Sequence, residues 1–421
     1  VFLLPLMLSN VLQSLSGTIN TIYIGQLLGV DALAAAAIFF PILFLLIGFV
    51  VGLASGASIL IGQAWGAKNL DKVRQITGTT LTASFIGGIA VAVLGTAFID
   101  QILLLLGAPA NIIGMAAGYG RIFFLGVPVF FVFLVLTSML RGVGDTVTPV
   151  LTLGFSIAAG LLVTPALILG WWGLPRIGVN AAAVAFIVGT VVSFAFMLVW
   201  LRWRRSPMAI DSGVLRLLRI DLPLLRLILR LGIPAGVAMI VSSLSGIVIV
   251  GIVNRFGSDA TAAFGAVNQV MGYVQFPAMS MMIASSIFAA QAIGARRMGE
   301  VEHVTRTGLI MNLFLTGGFV LVAYLFSENL VRLFITSEDV VQTTETLLHI
   351  VLWSVVMFGF GGVFETRSLA RADDGDVHGW HGQSVRLDTS WQFAFPASML
   401  RLGFGDAITG ALDWSRPTRI G

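Results

Sequence analysis

Runs of apolar residues long enough to cross a bilayer recur along most of this chain, separated by short polar connections. A helix needs about 20 such residues to span roughly 30 Å of hydrocarbon. Lipid favours the helix because it satisfies every backbone group within its own segment. The pattern predicts helices near residues 1–26, 32–62, 74–99, 113–140, 147–171, 179–203, 224–254, 260–292, 303–327 and 341–364. Val1 is not an initiator Met, and the first run leads into a second span without a small-residue cleavage site, so it reads as a helix lacking its start and not as a signal peptide. The expected fold is an all-α polytopic membrane protein with ten helices.

Composition narrows the class further. With 57% of residues hydrophobic and 10% charged, a soluble fold would have too little polar surface. The net charge of +4 does not point to nucleic acid, because the basic residues sit in short loops. Lys68, Lys72, Arg74, Arg141, Arg202, Arg204, Arg205, Arg216, Arg219, Arg296 and Arg297 follow even-numbered helices. The positive-inside rule then places those loops and the N-terminus in the cytoplasm, with Trp200 and Trp203 at the inner interface and Trp171 and Trp172 at the outer one. The expected location is the inner (plasma) membrane, as a multi-pass protein and a monomer in contact with lipid. The absence of cysteine excludes disulfides, thiol nucleophiles and Cys-based metal sites.

The chain also repeats itself. LGVDALAAAA from 28 is answered by FGSDATAAFG from 256, and IGQAWGAK from 61 by AAQAIGAR from 289, both 228 residues apart. The same offset pairs Gly29 with Gly257, Gln63 with Gln291, Gly66 with Gly294 and Thr77 with Thr305. It covers six helices, an even number, so the copies share one orientation, as in transporters that rock two bundles about a central site. The expected organisation is a six-helix lobe at 1–203, a cytoplasmic linker at 204–223, an incomplete second lobe of about four helices at 224–364, and a non-membrane tail at 365–421.

LQSLSGTINTIYIGQLLGVDALAA, GASILIGQAWGAKN, LRGVGDTVTP and FGAVNQV, in this order and spacing, resemble the multidrug and toxic compound extrusion (MATE) transporters. The resemblance covers roughly residues 1–364. It implies twelve helices in two parallel-repeat bundles, and cation-coupled export of amphipathic drugs through a cleft that opens to each side in turn.

Candidate site residues come first from helix one. Asn10, Gln13, Ser14, Gly17, Asn20 and Thr21 fall within an arc of roughly 120° on a 3.6-residue helix. Such a face can line a cleft, where amides solvate a substrate without a permanent charge; the competing reading is polar glue between helices. In the second half Asn268, Gln269 and Gln275 lie in a span beside Met271, Phe276 and Met279. Met and aromatic side chains suit a surface that accepts many apolar shapes, or a core. Gln63 and Gln291 with the glycines after them read as helix ends, and Gly142-Val143-Gly144 lacks the strand and helix of a phosphate loop.

The chain departs from the family pattern in two places. Where relatives often carry an acid, it has Asn20 in helix one and Thr164 before Pro165 in helix five. An amide cannot shuttle a proton near neutral pH, so the coupling ion, proton or sodium, is left without a carboxylate at these positions. No other cofactor is expected. Beyond Phe364 the chain reads ETRSLARADDGDVHGW and onward without a span-length apolar run, where the repeat calls for helices eleven and twelve. The expectation is a reading-frame change near codon 364, against a divergent soluble tail. The other function classes are a lipid-linked precursor flippase, which wants a more basic cavity, and a truncated product without transport. An intramembrane enzyme would need clustered acids, His or a Ser/Lys pair inside the spans.

Overall fold

The computed structural model describes residues 2–109, 111–173, 175–204, 206, 208–209, 220–253, 255, 257–332 and 338–373. All of their regular structure is helical. The elements are α1 (Leu3–Leu28), α2 (Val30–Ala37), α3 (Phe40–Gly66), α4 (Leu70–Ala97), α5 (Ile99–Leu105), α6 (Ile113–Gly142), α7 (Val147–Leu169) and α8 (Asn180–Trp203). They continue with α9 (Leu222–Val253), α10 (Ser258–Val274), α11 (Phe276–Gly294), α12 (Met298–Leu325), α13 (Ser327–Arg332) and α14 (Glu338–Asp373). Nine helices among the described residues are long and apolar enough to cross a membrane. α1 is of similar length but is not among the nine.

Two of the expected helices are each divided. The stretch 32–62 becomes α2 and α3, and 260–292 becomes α10 and α11. Proline explains both breaks: Pro41 and Pro277 are the second residues of α3 and α11. Proline has no amide hydrogen and crowds the preceding turn, so it is tolerated in a first turn and resisted inside a helix. The tail expected at 365–421 lies mostly at residues 374–421, outside the described residues.

Two compact units make up the fold. One comprises the described residues up to Ser245 together with Ala290–Arg296; the other comprises Gly246–Ala289 and the described residues from Arg297 onward. The core of the first is aromatic and aliphatic, with Phe124, Phe131, Ile61, Ile76 and Leu136 almost fully buried. The core of the second gathers Val267 and Val270 of α10, Val320 of α12, and Leu348, Leu352 and Val355 of α14.

The repeat is written into the backbone. Gly29 and Gly257 both take positive φ, 86° and 102°, just before α2 and α10. Lys68 and Arg296, the two positive-φ residues other than glycine among the described residues, are also 228 positions apart. Each follows the close of a helix by matched bonds: Ala67 N–H to Gln63 O and Ala295 N–H to Gln291 O, both 2.9 Å. Left-handed backbone in a residue with a side chain is uncommon, so finding it twice at one offset marks a preserved turn.

In the first unit these two helix ends meet reciprocally. A Cβ on Gly66 would strike the carbonyl oxygen of Gln291, and a Cβ on Gly294 would strike that of Gln63. The Gln291 side chain also donates to the Gly142 carbonyl at 2.8 Å, tying the LRGVGD turn to the same place.

Equivalent helix crossings in the two units are built differently. α4 packs on α6 at Gly88, where a Cβ would lie 2.6 Å from the Cα of Pro128. The positions 228 residues on are Thr316 of α12 and Val356 of α14. There Asn312 donates through Nδ2 to the Val356 carbonyl at 3.2 Å, and Thr316 donates to Asn312 Oδ1 at 2.8 Å.

Candidate functional site

The first unit holds a small pocket of about 90 Å³ between α1, α7 and α8. α1 contributes Ser16, Ile19, Asn20 and Tyr23; α7 contributes Ser156, Ile157, Gly160, Leu161 and Thr164. Ala185 and Phe186 of α8 complete it. Phe186 is held in place by ring contacts of 5.0 Å with both Phe123 and Phe130 of α6.

Local sequence explains much of the lining. Pro165 sits inside α7, and with no amide hydrogen it deprives the carbonyl four residues back, that of Leu161, of its usual donor. A backbone acceptor therefore appears at a pocket residue without any charge being buried. Gly160 leaves room, since a Cβ there would meet nothing within 4 Å. Thr164 is buried and Asn20 half-buried. The lining thus combines hydroxyls and one amide with Ile, Leu and Phe side chains, and it includes no Lys, Arg, Asp or Glu.

Asn20 and Thr164, 144 positions apart in the chain, come together in this pocket. The rest of the polar arc of α1 lies outside the pocket. Asn10 and Ser14 are half-buried, whereas Gln13, Gly17 and Thr21 form an exposed stripe along one side of the unit. The Thr21 hydroxyl donates to its own helix at the Gly17 carbonyl, 2.9 Å away. Asn20 lies at the edge of the arc nearest Ser16 and Tyr23, and that edge faces α7.

Asn268, Gln269 and Gln275 belong to the second unit and are not part of this pocket. Asn268 and Gln269 are exposed on α10, the latter 3.4 Å from the Tyr273 hydroxyl. Gln275 closes α10 at the proline break, its backbone N–H donating to the Met271 carbonyl at 2.9 Å. Met271 packs on the core of that unit, while Met279 is exposed.

Ser16, Ser156 and Phe186 were not singled out from the sequence. A signal existed for Ser16, which continues the polar side of α1; Ser156 and Phe186 are single residues on other helices, and only packing reveals them. Among the described residues no group of three His, Cys, Asp or Glu side chains is placed to hold a metal ion.

Comparison with known proteins agrees with this architecture. The MatE family model matches residues 5–166 and 234–367. The relative named Probable multidrug resistance protein YoeA, of Bacillus subtilis (strain 168), is 45% identical over 359 residues, covering 85% of this chain and 78% of YoeA. Multidrug export protein MepA of Staphylococcus aureus (strain MSSA476) is 23% identical over 366 residues, covering 86% and 79%. Among solved structures, the outward-facing conformation of a multidrug resistance MATE family transporter of the MOP superfamily superposes with a TM-score of 0.76 at 21% identity, covering 98% of this chain and 95% of that one. MATE in the bent conformation gives 0.74 at 23% identity, covering 88% and 82%. These structures share the fold. With the model matching well over half of the chain and a relative aligned along most of both sequences, the chain belongs to the MatE family, whose members are membrane transporters and not enzymes.

Proposed function

We propose that the chain is a secondary active exporter of drugs or other amphipathic small molecules, working by cation-coupled antiport and alternating access in the plasma membrane, as a monomer. One observation carries this reading: a membrane pocket lined by apolar side chains and a few uncharged polar groups, Asn20 and Thr164 among them. Such a lining accepts apolar bodies of varied shape and satisfies a small number of polar atoms on them. The names of the relatives, multidrug resistance and multidrug export proteins, point the same way. A lipid-linked precursor carries phosphate and calls for basic groups, which the pocket lining lacks.

The test is drug accumulation in cells expressing Asn20→Ala, Asn20→Asp and Gly160→Leu variants. Gly160→Leu enters open space, so it fills the pocket without disturbing the helices and should raise accumulation of bulky drugs the most. Asn20→Asp should shift the substrate range towards cations. Accumulation unchanged in all three would remove the pocket from the transport path.

A further inference from the structure

The second unit contains a titratable cluster, where α12, α13 and α14 come together. The Ser327 Oγ lies 2.6 Å from Glu345 Oε1 and 2.9 Å from His349 Nε2. The Tyr324 ring stacks on the His349 imidazole, with centroids 3.9 Å apart and planes inclined by 19°. His349 Nε2 is itself 3.8 Å from Glu345 Oε1. Tyr324 comes from α12, Ser327 from α13, and Glu345 and His349 from successive turns of α14.

Hydrogen-bond accounting fixes who donates. A carboxylate only accepts, so the Ser327 hydroxyl gives its hydrogen to Glu345. Having spent that hydrogen, Ser327 accepts from His349, which places a hydrogen on Nε2. This is the reverse of a nucleophile pair, in which the imidazole accepts from the serine, and it leaves Nδ1 as the ring nitrogen open to a proton. The His349 side chain is 29% exposed and lies near the N-terminal end of the apolar stretch Thr344–Phe364.

We propose that His349, linked to Glu345 through Ser327, is a proton-binding site of this transporter. The proton passes from water to Nδ1, turning the imidazole into an imidazolium whose charge lies against the Tyr324 ring and beside the Glu345 carboxylate. Binding thereby strengthens the tie between α14 and the α12–α13 corner; release weakens it. Histidine is the side chain whose ordinary titration spans neutral pH. The inference rests on the reading of the chain as a cation-coupled exporter, and it supplies a titratable group to a protein whose pocket has no carboxylate lining it.

Other charges around the cluster are accounted for. On α13, Glu328 and Arg332 pair with each other at 2.9 Å. The first turn of α14 holds Glu338 and Asp339, and that of α10 holds Asp259, all with side chains outside the described set. Tyr273 lies at the far end of α10 and is in contact with Phe276.

Proton uptake by the purified full chain between about pH 8 and about pH 5 tests the proposal directly, because it needs no substrate. His349→Gln should take up one proton fewer than the wild-type chain, and Ser327→Ala should keep the step but move its midpoint. Drug efflux from proteoliposomes should vary with pH over the same window for wild type and be flat for His349→Gln. Equal proton uptake by wild type and His349→Gln would overturn the site, as would a Ser327→Ala titration superimposed on wild type. A chain that shows the one-proton difference but moves no drug at any pH would keep the site and overturn the exporter reading instead. Should His349→Gln not fold, the Ser327→Ala titration alone decides.

Discussion

The α4–α6 crossing of the first unit and the α12–α14 crossing of the second occupy matching places in the repeat, yet they are held by different forces. At Gly88 the backbones come together because nothing projects from α4, and contact with Pro128 is made by shape. At the matching place in the second unit, Asn312 and Thr316, both buried, bridge to the α14 backbone by hydrogen bonds. In lipid there is no apolar driving force between helices, so association falls to close packing and interhelical hydrogen bonds. The two copies have each taken one of these routes. A shape contact fails abruptly when filled, whereas a bonded contact fails in proportion to the bonds removed.

Four substitutions would sharpen that contrast. Gly88→Leu should have the largest effect, a loss of about 3 kcal/mol, since overpacking a well-filled contact typically costs about 1–3 kcal/mol. Gly87→Leu is its control, because a Cβ there meets nothing within 4 Å; thermal unfolding in detergent should separate the neighbours by several degrees. Asn312→Ala should lower stability by about 2 kcal/mol, the range expected when a buried hydrogen-bond partner is removed. If Asn312→Ala were silent in the same melt, the bonded account of the second crossing would be wrong. Ser193→Ala should have the smallest effect, at or slightly above wild-type stability. The Ser193 hydroxyl is buried in the first unit without a hydrogen-bond partner, so its removal forfeits no bond.

Much of this fold is legible in the sequence because lipid makes helices declare themselves as long apolar runs. The offset of 228 residues was readable from paired motifs, and the backbone repeats it at Gly29 with Gly257 and at Lys68 with Arg296. The helix breaks were harder to see. FFP and QFP carry the signal, but in spans this apolar a proline in a first turn is hidden by the continuous hydrophobicity around it. The site was legible in part. Asn20 and Thr164 stood out singly as departures from the family pattern, but nothing in the chain placed them in one pocket. A helical wheel gives the arc of α1 and not which edge meets a neighbour; α7 took the Asn20 edge and left Gln13, Gly17 and Thr21 exposed. His349 carries no signal in the sequence, since its partners Ser327 and Tyr324 come from elements that the α12–α14 corner alone brings together.

The reciprocal meeting of Gly66 with Gln291 and of Gly294 with Gln63 has a bearing on the history of the chain. A contact in which each side offers the same pair of residues is what two identical molecules make across a two-fold axis. A precursor of half this length could make it only by finding a second copy of itself, at a rate set by its concentration in the membrane. Carrying both copies in one chain supplies a tether, which fixes the effective concentration of one helix end near the other. Each glycine also has its own codon, so that one side of the contact can change while the other is kept.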